Sequence, residues 1–514
     1  MMRASSERLL QEENEVYAVK KQYLIGIDIG TSGTKSVLFD TEGHVVASAL
    51  REYPMSQPQN GWAETDPLLW WEAVKSTLSE ITASADGEIL ALGLSGQMHS
   101  LVLLDGENRV LRPAILWCDQ RTAEECREIE ESVGHDRLVA ITANPALPGF
   151  TASKILWVQK HEPEIYEKCR HILLAKDYIR LMLTGEYATE VSDASGMQLL
   201  DVPNRKWSEE ICEKLNVDPS MLAKLYESPE VTGYVTKEAS RETGLPVGIP
   251  VAGGAGDNAA AAIGTGVSSP GKAFTTIGTS GVVFAPTDSP VIDKAGRIHT
   301  FCAAVPGTWH VMGVTQAAGL SLNWLRRTVL PGVSYKTIDE EAGKLPIGAD
   351  RLIYLPYLMG ERTPILDSDA RGVFFGLSAM HTPYHLARAV IEGVSYSLYS
   401  CLELLSEVGI TPAEMALCGG GGKSPLWHKM IADLYGIPVH TMQSDEGAAL
   451  GVAILAGVAA GVYPSVEEGC ARVVRRNAPV IPDEAAHERY LGVYRVYSSV
   501  YPAVKNTYKD LAGL

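Results

Sequence analysis

Asp28 lies at the end of an apolar run, YLIGIDI, and a glycine-rich turn follows it at once, Gly30, Thr31, Ser32 and Gly33. The pentapeptide IGTSG of residues 29–33 recurs unchanged at residues 277–281, inside FTTIGTSGVVFA. Glycine turns let backbone N–H groups approach an anion that side chains would hold off. Thr31, Ser32, Thr279 and Ser280 add hydroxyl donors at the two tips. Two such turns on facing domains would grip a polyphosphate from both sides, whereas either one alone reads as readily as a plain hairpin tip. Lys35, two residues past the first turn, is either a counter-charge for phosphate or a solvated edge residue. A third glycine cluster, residues 419–422, falls between a β-type run and a helical one in MALCGGGGKSPLW. Small residues in a strand–turn–helix connection admit a ribose or a flat base. The spacing fits neither a Walker A loop nor a complete G-x-G-x-x-G.

The carboxylates that would act beside these turns are Asp257 and Asp28. Asp257 is the one charge in GAGDNAAAAIG. It is placed either to cap the Ala-rich helix that follows or to take a proton from a substrate hydroxyl in a phosphoryl transfer. Asp28 either caps its turn or binds Mg2+, directly or through water, as hard cations prefer.

The elements that would position these residues are of α/β type. Two apolar strands around the first GTSG turn form a hairpin, and HVVASALREY extends it. A helix starts at Pro67 with Asp66 as its cap, and TASKILWVQKH at Thr151–His161 has amphipathic spacing. Further helices are expected over residues 383–406 and in KSPLWHKMIADLYG. The second GTSG turn again joins two apolar strands, so the chain reads as two domains of similar build, divided near Val267. Residues 447–464, GAALGVAILAGVAAGVYP, carry no charge, but their Ala and Gly content predicts a closely packed buried helix and not a bilayer span.

The whole chain bounds the chemistry further. Its 514 residues exceed one ordinary core, and 62 acidic against 44 basic residues give a net charge of -18. That surface repels nucleic acid and anionic membranes, so neither is an expected partner. The eight cysteines have no C-x-x-C spacing, which fits a reducing cytoplasm and no zinc site. The N-terminal stretch lacks an apolar signal region.

Nine segments, DIGTSGTK, SGQMH, PAILWCDQR, FTASKILW, AGDNAA, GTSG, GERTP, GVFFGL and GGGGKSPLW, occur in the order found in one family. On them the chain resembles the FGGY carbohydrate kinases, from Tyr23 to about Tyr501. The resemblance implies the duplicated actin/hexokinase-like (ribonuclease H-like) two-domain ATPase fold with a central cleft. Residues 1–22 would be an extension. Residues 23–266 would form the N-terminal domain, with the sugar site and first phosphate loop. Residues 267–514 would form the C-terminal domain, with the second phosphate loop and adenosine site.

Carried over by position, Asp257 is the catalytic base and Asp28 stands near the metal and the transferring group. Gln97, Met98, His99 and Asn258 are the sugar contacts. Thr31, Ser32, Lys35, Gly278, Thr279, Ser280, Gly420, Gly421 and Gly422 are the ATP contacts. Met98 and His99 stand where glycerol kinases place Arg and Glu, which points to a ketose. The expected reaction is Mg2+-dependent transfer from ATP to the 5-hydroxyl of D-xylulose, in the cytoplasm. Kinases of ribulose, gluconate or a deoxy-ketose, and a non-catalytic sugar sensor, are the alternatives. The family's QMHG reads QMHS here, with Ser100 in the fourth place. Asp119 and Arg121 of WCDQR would pair with each other or border the site. Many family members are dimers, so a homodimer is the implied assembly.

Overall fold

The structure, a computed structural model, describes residues 21–512; of the expected extension at residues 1–22, residues 1–20 lie outside the described residues. Strands β1 (Gln22–Ile29), β2 (Gly33–Asp40) and β3 (Val45–Glu52) form an antiparallel meander. On the other side of β1, β4 (Glu88–Gly96) runs parallel to it, followed by β6 (Pro250–Ala252) and then β5 (Val231–Tyr234) at the edge. A short strand β7 (Ala255–Gly256) pairs with the end of β4.

The second sheet repeats this plan. β8 (Lys272–Ile277), β9 (Gly281–Thr287) and β11 (Trp309–Thr315) form the meander, with β10 (His299–Cys302) added at its edge. β12 (Glu414–Cys418) runs parallel to β8, and β13 (Val439–His440) runs parallel to β12. The order β3-β2-β1-β4-β6 thus recurs as β11-β9-β8-β12-β13. Each IGTSG turn joins the first two strands of its meander, which is the duplication that the repeated pentapeptide announces.

Helices cover both sheets. Helix α1 (Pro67–Thr82) begins as the sequence predicts, with the Asp66 side chain accepting a hydrogen bond from the N–H of Leu68 at 3.0 Å. Its buried Trp70, Val74, Leu78 and Ile81 recur at helical spacing and face the first sheet's core. Helix α2 (Thr151–His161) has the predicted bounds. Helix α3 (Asp257–Gly264) leaves β7, and α4 (Gly319–Thr328), α5 (Pro383–Glu407) and α6 (Pro425–Tyr435) pack on the second sheet.

Helix α7 (Gly447–Ala459) is the uncharged segment. Although it follows the second sheet in the chain, it lies across the first. A Cβ added to Gly26 of β1 would fall 1.9 Å from the carbonyl oxygen of Ala449, and one on Gly93 of β4 would fall 2.1 Å from that of Val452. Its side chains cover Leu24, Val37, Phe39 and Ala91. Helix α3 packs against it just as closely. A Cβ on Gly451 would come within 1.9 Å of the carbonyl oxygen of Ala260, and one on Gly264 within 1.8 Å of that of Gly447. Among the described residues, no helix is long and apolar enough to cross a membrane.

Candidate functional site

Strand register brings the two aspartates together. Asp28 of β1 sits opposite Ser95 of β4, and Ser95 is also paired with Ala255 of β7. Asp28 and Asp257 therefore stand at the ends of two strands that flank β4. The Ser95 hydroxyl donates to Asp28 Oδ1 at 2.8 Å. Burial raises the Asp28 carboxyl above the usual range, and the Ser95 bond and the Lys35 charge oppose that rise. Gly256, and not Asp257, occupies the capping place of α3; its N–H donates to Ser192 Oγ at 3.1 Å. Asp257 Oδ1 accepts from the backbone N–H and the side-chain amide of Asn258, at 2.7 and 2.9 Å. Burial, and next the negative charge of Asp28, push its pKa up to about 6. Both carboxylates remain partly open.

A base with that pKa acts only when ionised. Turnover is therefore expected to fall about tenfold per unit as the pH drops below 6. Initial rates at subsaturating substrate between pH 5 and 8 check this, and a limb that appears only near pH 4 would exclude Asp257 as the titrating group.

Past the end of β4, the Gln97 N–H donates to the Ile29 carbonyl at 2.9 Å and its side-chain amide to that of Gly30 at 3.3 Å, while its Oε1 is buried without a partner. Gln97 thus braces the first glycine turn. Met98 is buried against Gly256, where a Cβ would meet its Cγ at 2.9 Å. His99 adopts φ +68°. Its Nδ1 lies 2.8 Å from the Gly196 carbonyl, which can only accept, so Nδ1 carries the proton and Nε2 is left as an acceptor. Burial, with the Lys154 cation nearby, holds the ring pKa well below the usual histidine range. The ring stands 4.6 Å from Phe150 and 6.1 Å from Phe301 of β10, between the two halves of the molecule. Ser100 is buried, and its hydroxyl has no partner.

The two identical pentapeptides close differently. In the first, the Gly30 N–H donates to the Gly33 carbonyl, and Tyr53 braces the turn by donating its hydroxyl to the Gly30 carbonyl at 2.6 Å and its N–H to that of Ser32. In the second, the Gly278 N–H donates to the Ser280 carbonyl, one residue tighter. There the start of α4 braces the turn, since the Ala318 N–H donates to the Thr279 carbonyl and the Gly319 N–H to that of Gly278. Gly278 and Thr279 line a cavity of about 900 Å³ together with Gly420, Gly421, Asn323 and Trp427, a size that suits a nucleotide. Gly421 is pressed against Ile277, where a Cβ would fall 2.5 Å from that side chain. Ser280 and Gly422 do not line the cavity, and Thr31, Ser32 and Lys35 stand apart from it, beside Asp28.

Both halves of the chain match one family. The model of the FGGY family of carbohydrate kinases, N-terminal domain, matches residues 23–264, and that of its C-terminal domain matches residues 273–460. The chain belongs to the FGGY family of carbohydrate kinases. A xylulose kinase of Escherichia coli (strain K12) is 40% identical over 493 residues, spanning 95% of this chain and 99% of its own. One from Bacillus subtilis (strain 168) is 38% identical over 488 residues, 94% and 98% of the two chains. The crystal structure of ligand-bound xylulose kinase from Lactobacillus acidophilus superposes with a TM-score of 0.91 at 28% identity, covering 95% of this chain and all of that one. This FGGY kinase is an enzyme that takes ATP and a carbohydrate as its substrates, on the fold expected.

Several residues of this FGGY kinase have settled partners. The Lys35 side chain is 36% exposed, and its Nζ lies 2.6 Å from Glu446 Oε1, just before α7. Asp119 and Arg121 pair with each other through two bonds of 2.9 and 2.7 Å, and Arg121 also lies over the ring of Trp62. Ser95 and Trp117, whose indole N–H donates to Thr31 Oγ1 at 2.9 Å, were not singled out from the sequence. Both sit inside the quoted segments SGQMH and WCDQR or directly beside them. Trp427 of the cavity closes the quoted segment GGGGKSPLW without having been singled out, and Asn323 lies on α4, which carries no nucleotide signature.

Proposed function

We propose that the protein transfers the γ-phosphoryl group of ATP to the 5-hydroxyl of D-xylulose, giving D-xylulose 5-phosphate and ADP in pentose catabolism. The observation that carries the chemistry is Asp257, a carboxylate raised to about 6 beside the first glycine turn and the Met98–His99 wall. The near full-length likeness to xylulose kinases supports the choice of sugar. Asp257 Oδ1 is already occupied by Asn258, so Oδ2 is the atom that accepts the hydroxyl proton. The sugar oxygen then bonds to the γ-phosphorus as the bond to the β-bridging oxygen breaks and ADP leaves. His99 Nε2, held unprotonated, accepts from a sugar hydroxyl, and Met98 gives the pocket an apolar wall. Thr279 of the second turn lines the cavity, and the donors of the first turn beside Asp28 would meet the transferring phosphate.

Among the described residues, no group of three or more His, Cys, Asp or Glu side chains converges as a metal cage. That fits Mg2+, which is held mostly by nucleotide phosphates and water with one or two carboxylates. Asp28, half-open beside the first turn, is the residue that would hold it. Bound there, Mg2+ would neutralise charge on the β- and γ-phosphates. Eight free thiols support a cytoplasmic site of action.

ADP release with Mg-ATP tests the reading against D-xylulose, D-ribulose, L-ribulose, glycerol and gluconate. D-xylulose is expected to give the highest kcat/KM. Preference for another member keeps the mechanism and overturns the sugar, and no response to any sugar from ATP-binding protein overturns the kinase reading.

A further inference from the structure

We propose that Lys154 is a positioning residue of the sugar site, which fixes His99 in the cleft by donating to the carbonyls of His99 and Gly149. The proposal rests on the reading above that His99 borders the sugar.

Lys154 lies on the first turn of α2, and its side chain is fully buried. Its Nζ donates to the His99 carbonyl at 2.9 Å and to the Gly149 carbonyl at 2.7 Å. No carboxylate of the described residues lies within ion-pair distance of it. Asp119 is the strongest of the opposite charges that act on it from further away. A buried amino group without a carboxylate partner is costly, and a methionine would fill the same space without that cost. What the amine supplies is a bridge between two loops, the one after β4 and the one before α2. Burial lowers its pKa to about 7, and even the neutral amine keeps two N–H donors for the two carbonyls.

The bridged peptide is one that needs holding. His99 is a non-glycine residue at φ +68°, a region that side chains rarely adopt. Its carbonyl accepts a second bond, from Thr151 Oγ1 at 3.1 Å. Its ring is pressed on Gly196, where a Cβ would fall 2.2 Å from Nδ1, and it lies against Phe150. The segment 150–154 therefore supplies a ring contact and two donors to one histidine. With the carbonyl released, the backbone can leave the left-handed region and swing the imidazole away from the sugar.

The test is a double-mutant cycle between Lys154→Met and His99→Ala, read as the KM for D-xylulose or for whichever panel sugar turns over. Lys154→Met is expected to raise the sugar KM about tenfold, with kcat falling less than threefold. In the His99→Ala background the same change is expected to alter KM by less than twofold, because its effect runs through His99. An unchanged KM in Lys154→Met, or effects that multiply in the double variant, overturns the proposal. Should Lys154→Met not fold, Thr151→Val removes the other donor to the same carbonyl. It is expected to raise KM about threefold, and no change there is equally fatal. Nitrogen-15 histidine spectra give a readout that needs no sugar. The His99 signal, assigned by its loss in His99→Ala, is expected to lose its Nδ1–H tautomer pattern in Lys154→Met, and an unperturbed signal overturns the proposal. Wild-type protein that turns over no sugar defeats the functional reading instead, and the histidine spectra still decide the role of Lys154.

Discussion

Asp257→Asn is expected to reduce sugar-dependent ADP formation about a thousandfold and, at the same time, to raise the unfolding temperature. The loss follows from replacing the free Oδ2 acceptor by a group that cannot take a proton, and general-base groups typically contribute about 10²–10⁴-fold. The gain follows from linkage. The carboxyl titrates at about 6 in the fold and near 3.9 in an unfolded chain. A raised pKa means that the native state binds the proton more tightly, so this group's contribution to stability is greatest below the unfolded value. It is lost as the pH rises through about 6. At neutral pH the whole penalty is present, about 3 kcal/mol at face value and about 1–2 kcal/mol once partial exposure is allowed for. The amide carries no such penalty, and its carbonyl still accepts from Asn258. A coupled ADP assay and a thermal melt on the same preparation check both halves. Turnover above a tenth of wild type would point to another base, and a lowered melting temperature would contradict the strain assigned to this carboxylate.

Gly451→Ala is expected to destabilise the protein by more than about 4 kcal/mol, or to leave it insoluble. The added carbon would sit 1.9 Å from the carbonyl oxygen of Ala260. That atom belongs to backbone, so no rotamer change relieves the clash, and α3 and α7 must separate. Gly447→Ala is the matched control on the same helix, since a Cβ there meets nothing within 4 Å. It is expected to be neutral or to stabilise by up to about 1 kcal/mol through helix propensity. Because α3 begins at Asp257, a Gly451 variant that still folds should lose activity in step with its stability. Denaturant melts of the two alanine variants decide the point: equal midpoints would mean that the helices do not touch through Gly451.

What could be read in the sequence was what local chemistry decides. Asp66 and Pro67 mark the start of α1 through capping and a preset φ, and the apolar runs around each GTSG turn pair because a short turn sets them side by side. The fold class followed from the same repeat and from the family's segments. Long-range packing was not legible in that way. Gly26 and Gly93 sit inside runs that read simply as strands, and nothing local says that a helix lies on them. Gly264 and Gly451 carry the same message, and they make sense only as a set that faces itself across the fold. Lys154 stands in a helix whose pattern allows a solvated lysine, and its burial depends on carbonyls from two other loops. The identical pentapeptides showed a further limit. Their closures differ because Tyr53 braces one and α4 the other, and neither brace is written in the five residues.

The path of α7 has a consequence for how the chain is made. The face of the first sheet that carries Leu24, Val37, Phe39 and Ala91 is covered by a helix, Gly447–Ala459, made more than three hundred and fifty positions later in the chain. During synthesis, at roughly 5–20 residues per second, the strands emerge and then wait tens of seconds for their cover. The core on one side of the first sheet is built from residues 23–251 alone, but the opposite face stays bare on the ribosome until α7 is made. Truncation anywhere before α7 removes the lid from a sheet that lies far from the cut.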